Sequence, residues 1–548
     1  MGKYRAVGNI GLAMVIGGVA VTGCDGGGAW EETGNSQGAL RGPHGSNHRR
    51  HHDAKMPLKE DVILAMRRAN EYWIENHDSP GDRGWARATY FEGNMAMHQA
   101  YPDDMYLKYT LKWAQGHNWS LYQGAATRNA DNQNIGQTYI DLYRMNPDPA
   151  RIAMIEESIS KMLATDQIDD WWWVDALHMA MPVFARLAVV RSDPAYSERM
   201  YDMYNWTKRN VGGDGLWNPH EGLWWRDASY KPPAVAPNGE HVYWSRGNGW
   251  AIAAHARTIE ELDRLPQEDP HRAEYVDTFQ KMAAALADLQ QDDGFWPANL
   301  LDPTSPAGPE TSGTAFFTYA LAWGVNYGLL SRRKFLPIIE DAWSALTDFS
   351  LATHGKLGYI QPVGAAPISR STTPDDHYDF GVGAFLLAGS EVIKLSRGHL
   401  PPLVSEENLA LHGVVSVTSE QSGNEGSGAI DNDLTTRWSA FGYPQSLELD
   451  LQDVERIRGI ELAPLYQRPY QFIVETRESL DGAWTVAVDA QDNAEHGPFH
   501  TRLFTPRDAR FVRLTVTGLD SSASYSDWIS IIEFRVLEEE SRNRARCK

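Results

Sequence analysis

The stretch 244-WSRGNGW-250 sets an arginine among glycines and tryptophans, at the start of an apolar segment. Other stretches of unusual polar sequence mark the starts of alternate apolar segments between Lys59 and Arg397. They lie at 87–93, 130–132, 173–175, 310–314 and 379–381. This alternation predicts that all six stretches share one end of the fold.

The segments themselves are predicted to be helices. Apolar residues recur at helical spacing, as in Ile152, Ile155, Ile159 and Met162. We count about twelve such segments, and the short turns between them indicate antiparallel hairpins. Six hairpins fit a closed all-α (α/α)6 barrel, with an inner ring of helices inside an outer ring. The alternative, an open α-solenoid, lacks the strict repeat period that solenoids show.

In such a barrel alternate helices run in the same direction, so their N-termini meet at one mouth. Free backbone N–H groups give that mouth a partial positive charge that favours an anionic ligand. Indoles, carboxylates and an arginine together suggest an acidic sugar. The alternative is that each Asp, Ser or Thr there is only a helix N-cap.

After residue 398 the pattern changes to strand-like alternation. Residues 447–451 and 511–516 are predicted to be half-buried strands. Several such strands with polar turns indicate an antiparallel β-sandwich. We therefore expect a helical domain over 57–398 and a β-sandwich domain over 404–540.

Composition excludes several classes of protein. The chain has 548 residues, with 50 Lys and Arg against 72 Asp and Glu, and a net charge of −22. That charge argues against general nucleic-acid binding. Two cysteines exclude a disulfide-rich scaffold and a cysteine-based zinc site.

The N-terminus is predicted to be a targeting segment. Basic residues precede an apolar run, 6–21, that is too short and too glycine-rich for a good membrane span. The stretch 21-VTGC-24 resembles a bacterial lipobox. The resemblance implies a signal peptide over 1–23 and a lipid on Cys24. Residues 24–56 are predicted to be a flexible tether. The lipid would attach the protein to the cell envelope, on the periplasmic or outer-membrane face. The alternative is an ordinary signal peptide with an incidental cysteine.

Three stretches, 173–179, 244–250 and 310–314, resemble in order the signatures of glycoside hydrolase families 88 and 105, the unsaturated uronyl hydrolases. The overall pattern is more similar to family 105. The resemblance implies removal of the 4,5-unsaturated uronic acid that a polysaccharide lyase leaves at the non-reducing end. It also implies hydration of the double bond, with protonation of carbon 4 and addition of water at carbon 5. No cofactor is expected for catalysis.

By this resemblance Asp175 matches the family's catalytic acid/base and Asp131 its second aspartate. The tryptophans at 171–173 could raise the pKa of Asp175, whereas a helix N-terminus would lower it. The residues expected to bind substrate are Arg246, Trp250, Trp244, His178, Arg226 and Thr311. Instead of binding substrate, Arg246 could brace the barrel. His178 could be a core histidine whose hydrogen bonds are satisfied within the protein.

The stretch 222-GLWWRD-227 departs from the family. Rhamnogalacturonan-type members usually carry a histidine there, where this chain has Arg226 and Asp227. An added arginine could bind a sulfate on the neighbouring rhamnose, as in ulvan; the alternative is an Arg–Asp ion pair. Three other functions stay open: an unsaturated rhamnogalacturonyl hydrolase of pectin degradation, a polysaccharide lyase, and a non-catalytic glycan-binding lipoprotein.

The stretch 429-AIDNDLTTRWSA-440 resembles coagulation factor 5/8 type C (discoidin) domains, which include a family of carbohydrate-binding modules. The resemblance implies that residues 404–540 form a carbohydrate-binding domain with a discoidin-like jelly-roll fold. The resemblance implies a structural Ca²⁺, for which close-set oxygen ligands are needed. The matching residues are Asp431, Asp433, Thr436 and Glu533. The alternative is that they only close a turn.

Overall fold

The computed structural model describes residues 56–77, 81–367, 369–400, 408–520 and 527–539. The predicted signal peptide, Cys24 and nearly all of the predicted tether lie outside these ranges. Within them, no helix is both long and apolar enough to cross a membrane. The helices are α1 (Lys59–Glu75), α2 (Trp85–Ala100), α3 (Asp104–Gly116), α4 (Ala130–Gln133), α5 (Ile135–Met145), α6 (Ala153–Leu163), α7 (Asp175–Arg191), α8 (Ala195–Arg209), α9 (Ser245–Leu262), α10 (Arg272–Leu289), α11 (Thr311–Asn326), α12 (Arg332–Ser344) and α13 (Asp379–Leu395).

Six of these helices form a closed inner ring. In ring order they are α2, α5, α7, α9, α11 and α13, and α13 packs back against α2. The single-turn α4 leads directly into α5. Every residue of α11 except Asn326 is buried, whereas the outer helix α10 buries one face only. A helix that is buried on all sides belongs inside the fold. The predicted (α/α)6 barrel is confirmed.

Two glycines close the ring between its first and last inner helices. A Cβ atom on Gly93 of α2 would lie 2.3 Å from the carbonyl oxygen of Gly383, and one on Gly383 of α13 would lie 2.2 Å from that of Thr89. Real Cβ contacts are never that close. The two helices therefore pack backbone against backbone, which explains Gly93 at the end of the first polar stretch and Gly383 just after the last one.

The C-terminal part is an antiparallel β-structure. Its strands are β3 (Val414–Val417), β4 (Trp438–Phe441), β5 (Gln445–Pro464), β6 (Tyr470–Arg477), β7 (Thr485–Ala490), β8 (His500–Leu519) and β9 (Trp528–Glu538); β1 (Trp217–Asn218) and β2 (Leu223–Trp224) form a small hairpin in the barrel region. The order is β4-β9-β5-β8-β6-β7, and β3 pairs with the first half of β5. Residues of β6 alternate between buried and half-buried. The predicted antiparallel, discoidin-like fold is confirmed.

A buried group of four charges joins the barrel to the β-structure. Arg67 and Asp103 come from the barrel, and Glu461 and Arg535 from β5 and β9. Each guanidinium bonds to both carboxylates, at distances of 2.9 to 3.3 Å. All four side chains are at least nine-tenths buried. Because each carboxylate is held by two guanidinium groups, the loss of either arginine would leave buried negative charge in excess.

Candidate active site

The polar stretches of the sequence meet at the mouth of the barrel. Four inner helices begin within or directly beside them, as does the single-turn α4 that leads into the inner helix α5. The sixth stretch forms the first turns of α2. The five helix starts are Ala130, Asp175, Ser245, Thr311 and Asp379. This confirms that alternate helices present these stretches at their N-termini. Free N–H groups there give the mouth the positive potential that an anionic sugar requires.

Asp175 is the first residue of α7 and is only 8 % exposed. Burial raises the pKa of this carboxyl, although Arg226 nearby and a backbone N–H lower it. The sequence left open whether burial or the helix N-terminus would decide this pKa; burial decides it. A carboxyl group with a raised pKa keeps its proton closer to neutral pH, as a general acid must.

Asp131 lies close enough to Asp175 for the two charges to interact. Burial raises the pKa of Asp131 to about 6, the charge of Asp175 adds to this effect, and Arg226 opposes it. Two neighbouring carboxylates favour a state in which one of them is protonated. The pair therefore supplies both a proton donor and an acidic group that can order water or a sugar hydroxyl.

Arg226 stands beside this pair. Its Nε lies 3.2 Å from Asp175 Oδ2, and its Nη1 lies 2.7 Å from Asp227 Oδ2. Its guanidinium is 5.7 Å from the ring of Trp172, which is half exposed at the mouth. The backbone N–H of Val174 donates to the Arg226 carbonyl and ties the two segments together. The structure thus shows the Arg–Asp ion pair that was the alternative to sulfate binding.

Removing the Arg226 charge is expected to move the pH profile. Arg226 lowers the pKa of Asp175, so Arg226→Gln should raise it. The protonated carboxyl is the active acid, and activity falls as pH rises through its pKa. The alkaline limb of kcat/KM should therefore move to higher pH, by about one unit for a lost adjacent charge. Arg128→Gln, at an arginine paired with Asp170, should leave that limb in place. An unchanged limb in Arg226→Gln would contradict this account.

Arg246 is almost wholly buried, between the rings of Trp244 and Phe380. Its Nη1 and Nη2 donate to the carbonyl oxygens of Gln361 and Pro362, at 2.5 and 2.7 Å. Burial lowers its pKa to about 10. In this arrangement Arg246 braces the loop after residue 360. Direct pairing with a uronate carboxylate stays a prediction.

Four further residues predicted to bind substrate are also buried. Trp244 Nε1 donates to Gln361 Oε1 at 2.9 Å, and the Thr311 hydroxyl donates to the Gly358 carbonyl at 2.8 Å. Trp250 packs between His178 and Phe316. These contacts hold the wall of the site, and stacking of Trp250 or Trp244 on a sugar stays a prediction.

His178 pairs with a residue that sequence reasoning missed. Its Nε2 lies 3.1 Å from Glu92 Oε2, with both side chains fully buried. Burial lowers the pKa of His178, so the ring stays neutral near pH 7. No described residue bonds to His178 Nδ1. Glu92 lies in the first stretch, 87–93, but nothing in the sequence indicated which partner it takes.

Three residues of the predicted calcium site, Asp431, Asp433 and Thr436, share one turn, and Glu533 reaches that turn from β9. The Thr436 hydroxyl bonds to the Asp431 carboxylate at 2.9 Å, and the Asn432 N–H donates to Glu533 at 2.9 Å. Asp433 instead lies 3.6 Å from Lys112 Nζ. Among the described residues no group of three or more His, Cys, Asp or Glu side chains is arranged to hold a metal. These residues do not present a joint ligand set, and calcium binding stays a prediction.

Comparison with known proteins agrees with this architecture. Residues 63–396 match the model of glycosyl hydrolase family 88, and residues 414–534 match the F5/8 type C domain. A protein of Formosa agariphila named "Unsaturated 3S-rhamnoglycuronyl hydrolase" is 34% identical over 349 residues, covering 59% of this chain and 89% of that protein.

The chain is also similar to solved structures of helical-barrel proteins. A glycosyl hydrolase family 88 structure from Bacteroides vulgatus is 36% identical, with a TM-score of 0.58, and covers 62% of this chain and 99% of that one. A structure named as a polysaccharide lyase is 34% identical, with a TM-score of 0.57, over 62% of this chain and 98% of that one. The family match and the hydrolase relatives show that this helical barrel, with two carboxyl groups at its mouth, is that of a glycosidase. The chain belongs to glycosyl hydrolase family 88, and it carries an F5/8 type C domain at its C-terminal end.

Proposed function

We propose that this glycosidase removes the non-reducing-end 4,5-unsaturated uronic acid from oligosaccharides that a polysaccharide lyase has made. The observation that carries the proposal is the buried Asp175, whose pKa is raised beside Asp131. Both aspartates lie at a mouth built from helix N-termini. The name of the Formosa relative, which is 34% identical, supports the same class of substrate.

In the proposed mechanism Asp175 gives its proton to carbon 4 of the enol ether. Positive charge then develops at carbon 5 and on the ring oxygen, where the ionised Asp175 stabilises it. Water adds to carbon 5 and loses a proton to a carboxylate of the pair. The resulting hemiketal collapses, the ring opens, and the aglycone leaves. Rules on carboxylate spacing in ordinary glycosidases do not apply, because the anomeric carbon is not attacked.

The proposed substrate carries its unsaturated uronate on rhamnose, with sulfate on the rhamnose, as in ulvan. The relatives from Formosa and Alteromonas, 34% and 32% identical, are both named for a rhamnoglycuronyl linkage. The absence of the histidine that rhamnogalacturonan-type members usually carry favours ulvan over pectin.

A polysaccharide lyase is the second candidate, because a solved structure with 34% identity bears that name. A lyase needs a base to take the proton from carbon 5 of an intact uronate. The family match and the names of the two relatives favour a hydrolase over a lyase.

Ultraviolet absorbance separates these candidates, because hydration destroys the conjugated enoate and a lyase creates it. We expect the absorbance to fall during incubation with lyase-digested ulvan, and more slowly with lyase-digested rhamnogalacturonan. A rise on intact polysaccharide would identify a lyase. A faster fall on the pectin fragments would transfer the assignment to rhamnogalacturonan.

We further propose that the mature protein is anchored to the cell envelope by a lipid on Cys24, which lies outside the described residues. The support is the sequence 21-VTGC-24 after a basic and apolar leader. Cys24→Ala should move the protein from the membrane fraction to the soluble fraction. Unchanged fractionation would contradict a lipid anchor.

A further inference from the structure

A cleft of about 800 Å³ opens beside the catalytic pair. Asp131 and Asn132 form part of its wall, and Arg83, Trp85 and Tyr122 form another part. Because Asp131 belongs both to this cleft and to the carboxylate pair, the cleft continues from the place where the uronate would react. The proposed mechanism leaves it without a role.

Arg83 differs from the other arginines described at the mouth. Arg226 and Arg128 each pair with aspartate, and Arg246 is bonded to carbonyl oxygens. Arg83 instead donates to the hydroxyl of Ser120, and its guanidinium lies 6.0 Å from the ring of Tyr122. No carboxylate of the described residues lies within ion-pair distance of Arg83. A cation without an ion-pair partner among the described residues stands out in a chain of net charge −22.

The loop that carries Arg83 is held in place. Trp113 Nε1 donates to the Asp82 carbonyl at 2.8 Å, and His117 Nε2 lies 3.0 Å from the Gly81 carbonyl. The Gly84 N–H donates to the Asp82 carboxylate at 2.7 Å, at the start of α2. A cation fixed on such a loop loses less conformational entropy when it binds an anion.

The rings of the cleft suit a sugar. Trp85 packs against Phe380 and Trp250, which form the inner wall of the mouth. Tyr122 lines the same cleft and is 53 % exposed, so its ring is accessible to a ligand. Arg83 lines the same cleft as Asp131, whereas Arg226, which is paired with Asp175, does not line it. Arg83 therefore faces the space that a second sugar would fill.

We propose that this cleft binds the second sugar of the substrate and that Arg83 holds an anionic substituent of that sugar, a sulfate or a carboxylate. The proposal rests on the proposed function, because it needs a uronate at Asp175 and Asp131. It assigns recognition of the second anion to Arg83, since Arg226 is already engaged by two aspartates.

The test compares three unsaturated disaccharides, whose second sugar carries a sulfate, a carboxylate or neither. For wild type we expect the lowest KM with an anionic second sugar. Arg83→Gln should raise that KM about 10- to 100-fold, the range for a lost charge-assisted hydrogen bond, with kcat nearly unchanged. KM for the neutral disaccharide should stay the same. The anionic disaccharide whose KM rises in Arg83→Gln shows whether Arg83 binds a sulfate or a carboxylate.

Two variants separate recognition from structure. Arg83→Lys, which keeps the charge, should restore part of the affinity for the anionic disaccharide. Arg191→Gln, at an arginine paired with Glu156, should change nothing. An equal loss on all three disaccharides in Arg83→Gln would overturn the proposal. If wild type hydrolyses none of the three disaccharides, the proposed function fails. Binding to the cleft is then tested by calorimetric titration of sulfated rhamnose oligosaccharides into wild type and Arg83→Gln. Equal affinity of the two proteins would overturn the assignment of anion binding to Arg83.

Discussion

Asp175→Asn is expected to lower kcat about 10³-fold, because an amide cannot give a proton to carbon 4 of the unsaturated uronate. General acid catalysis is typically worth 10²- to 10⁴-fold, and this carboxyl is the only donor that the proposed mechanism uses for that step. Asparagine has nearly the same volume and keeps the first turn of α7, so KM should change little. The measurement is the rate at which the enoate absorbance falls.

The matched control is Asp169→Asn, at an exposed aspartate on the segment that leads into α7. It removes one negative charge near the mouth and should leave kcat within a factor of about two, as for most surface changes. If Asp175→Asn kept more than a tenth of the wild-type kcat, Asp175 would not be the acid. If both variants lost activity equally, the cause would be the removal of a negative charge near the mouth and not the loss of a proton donor.

Arg535→Ala is expected to lower the free energy of unfolding by about 3–5 kcal/mol, because it leaves buried carboxylates without a partner. Arg535 Nη2 lies 2.9 Å from Asp103 Oδ1, and its Nη1 lies 3.1 Å from Glu461 Oε1. Arg67 alone would then face both negative charges. Urea unfolding, followed by tryptophan fluorescence, measures the change.

Arg456→Ala provides the comparison for Arg535. Arg456 pairs with Asp508 and Glu539, but half of its side chain is exposed. Exposed ion pairs contribute at most about 1 kcal/mol, so this variant should unfold almost as wild type does. If both variants lowered the free energy of unfolding by the same small amount, the buried four-charge group would contribute little to the packing of the barrel against the β-structure.

The fold could be predicted largely from sequence because its signals are local. Helical spacing, short turns and glycine-flanked polar stretches together indicated the barrel and the end at which its site lies. Ala130, Asp175, Ser245, Thr311 and Asp379 begin helices within these stretches. The proximity of Asp131 to Asp175 follows from the same argument, because Asp131 lies in the turn α4 that leads into α5, and Asp175 begins the neighbouring inner helix α7.

What sequence could not predict depends on packing between distant segments. Nothing local shows that Arg246 bonds to the carbonyls of Gln361 and Pro362, more than a hundred residues away. The pair of His178 with Glu92 and the charge group around Arg535 are likewise formed by residues far apart in the chain. Arg83 lies in no recognised motif. Its proposed role in anion binding rests on the structure, in which no described carboxylate pairs with it.

Proton NMR of a single turnover mixture tests the central claim most directly. With an unsaturated uronyl–rhamnose disaccharide, the vinyl proton signal of carbon 4 should disappear at the rate at which free rhamnose appears. No free unsaturated uronic acid should accumulate, because hydration precedes release. Free unsaturated uronic acid that keeps its vinyl proton would show displacement at the anomeric carbon and would contradict the account.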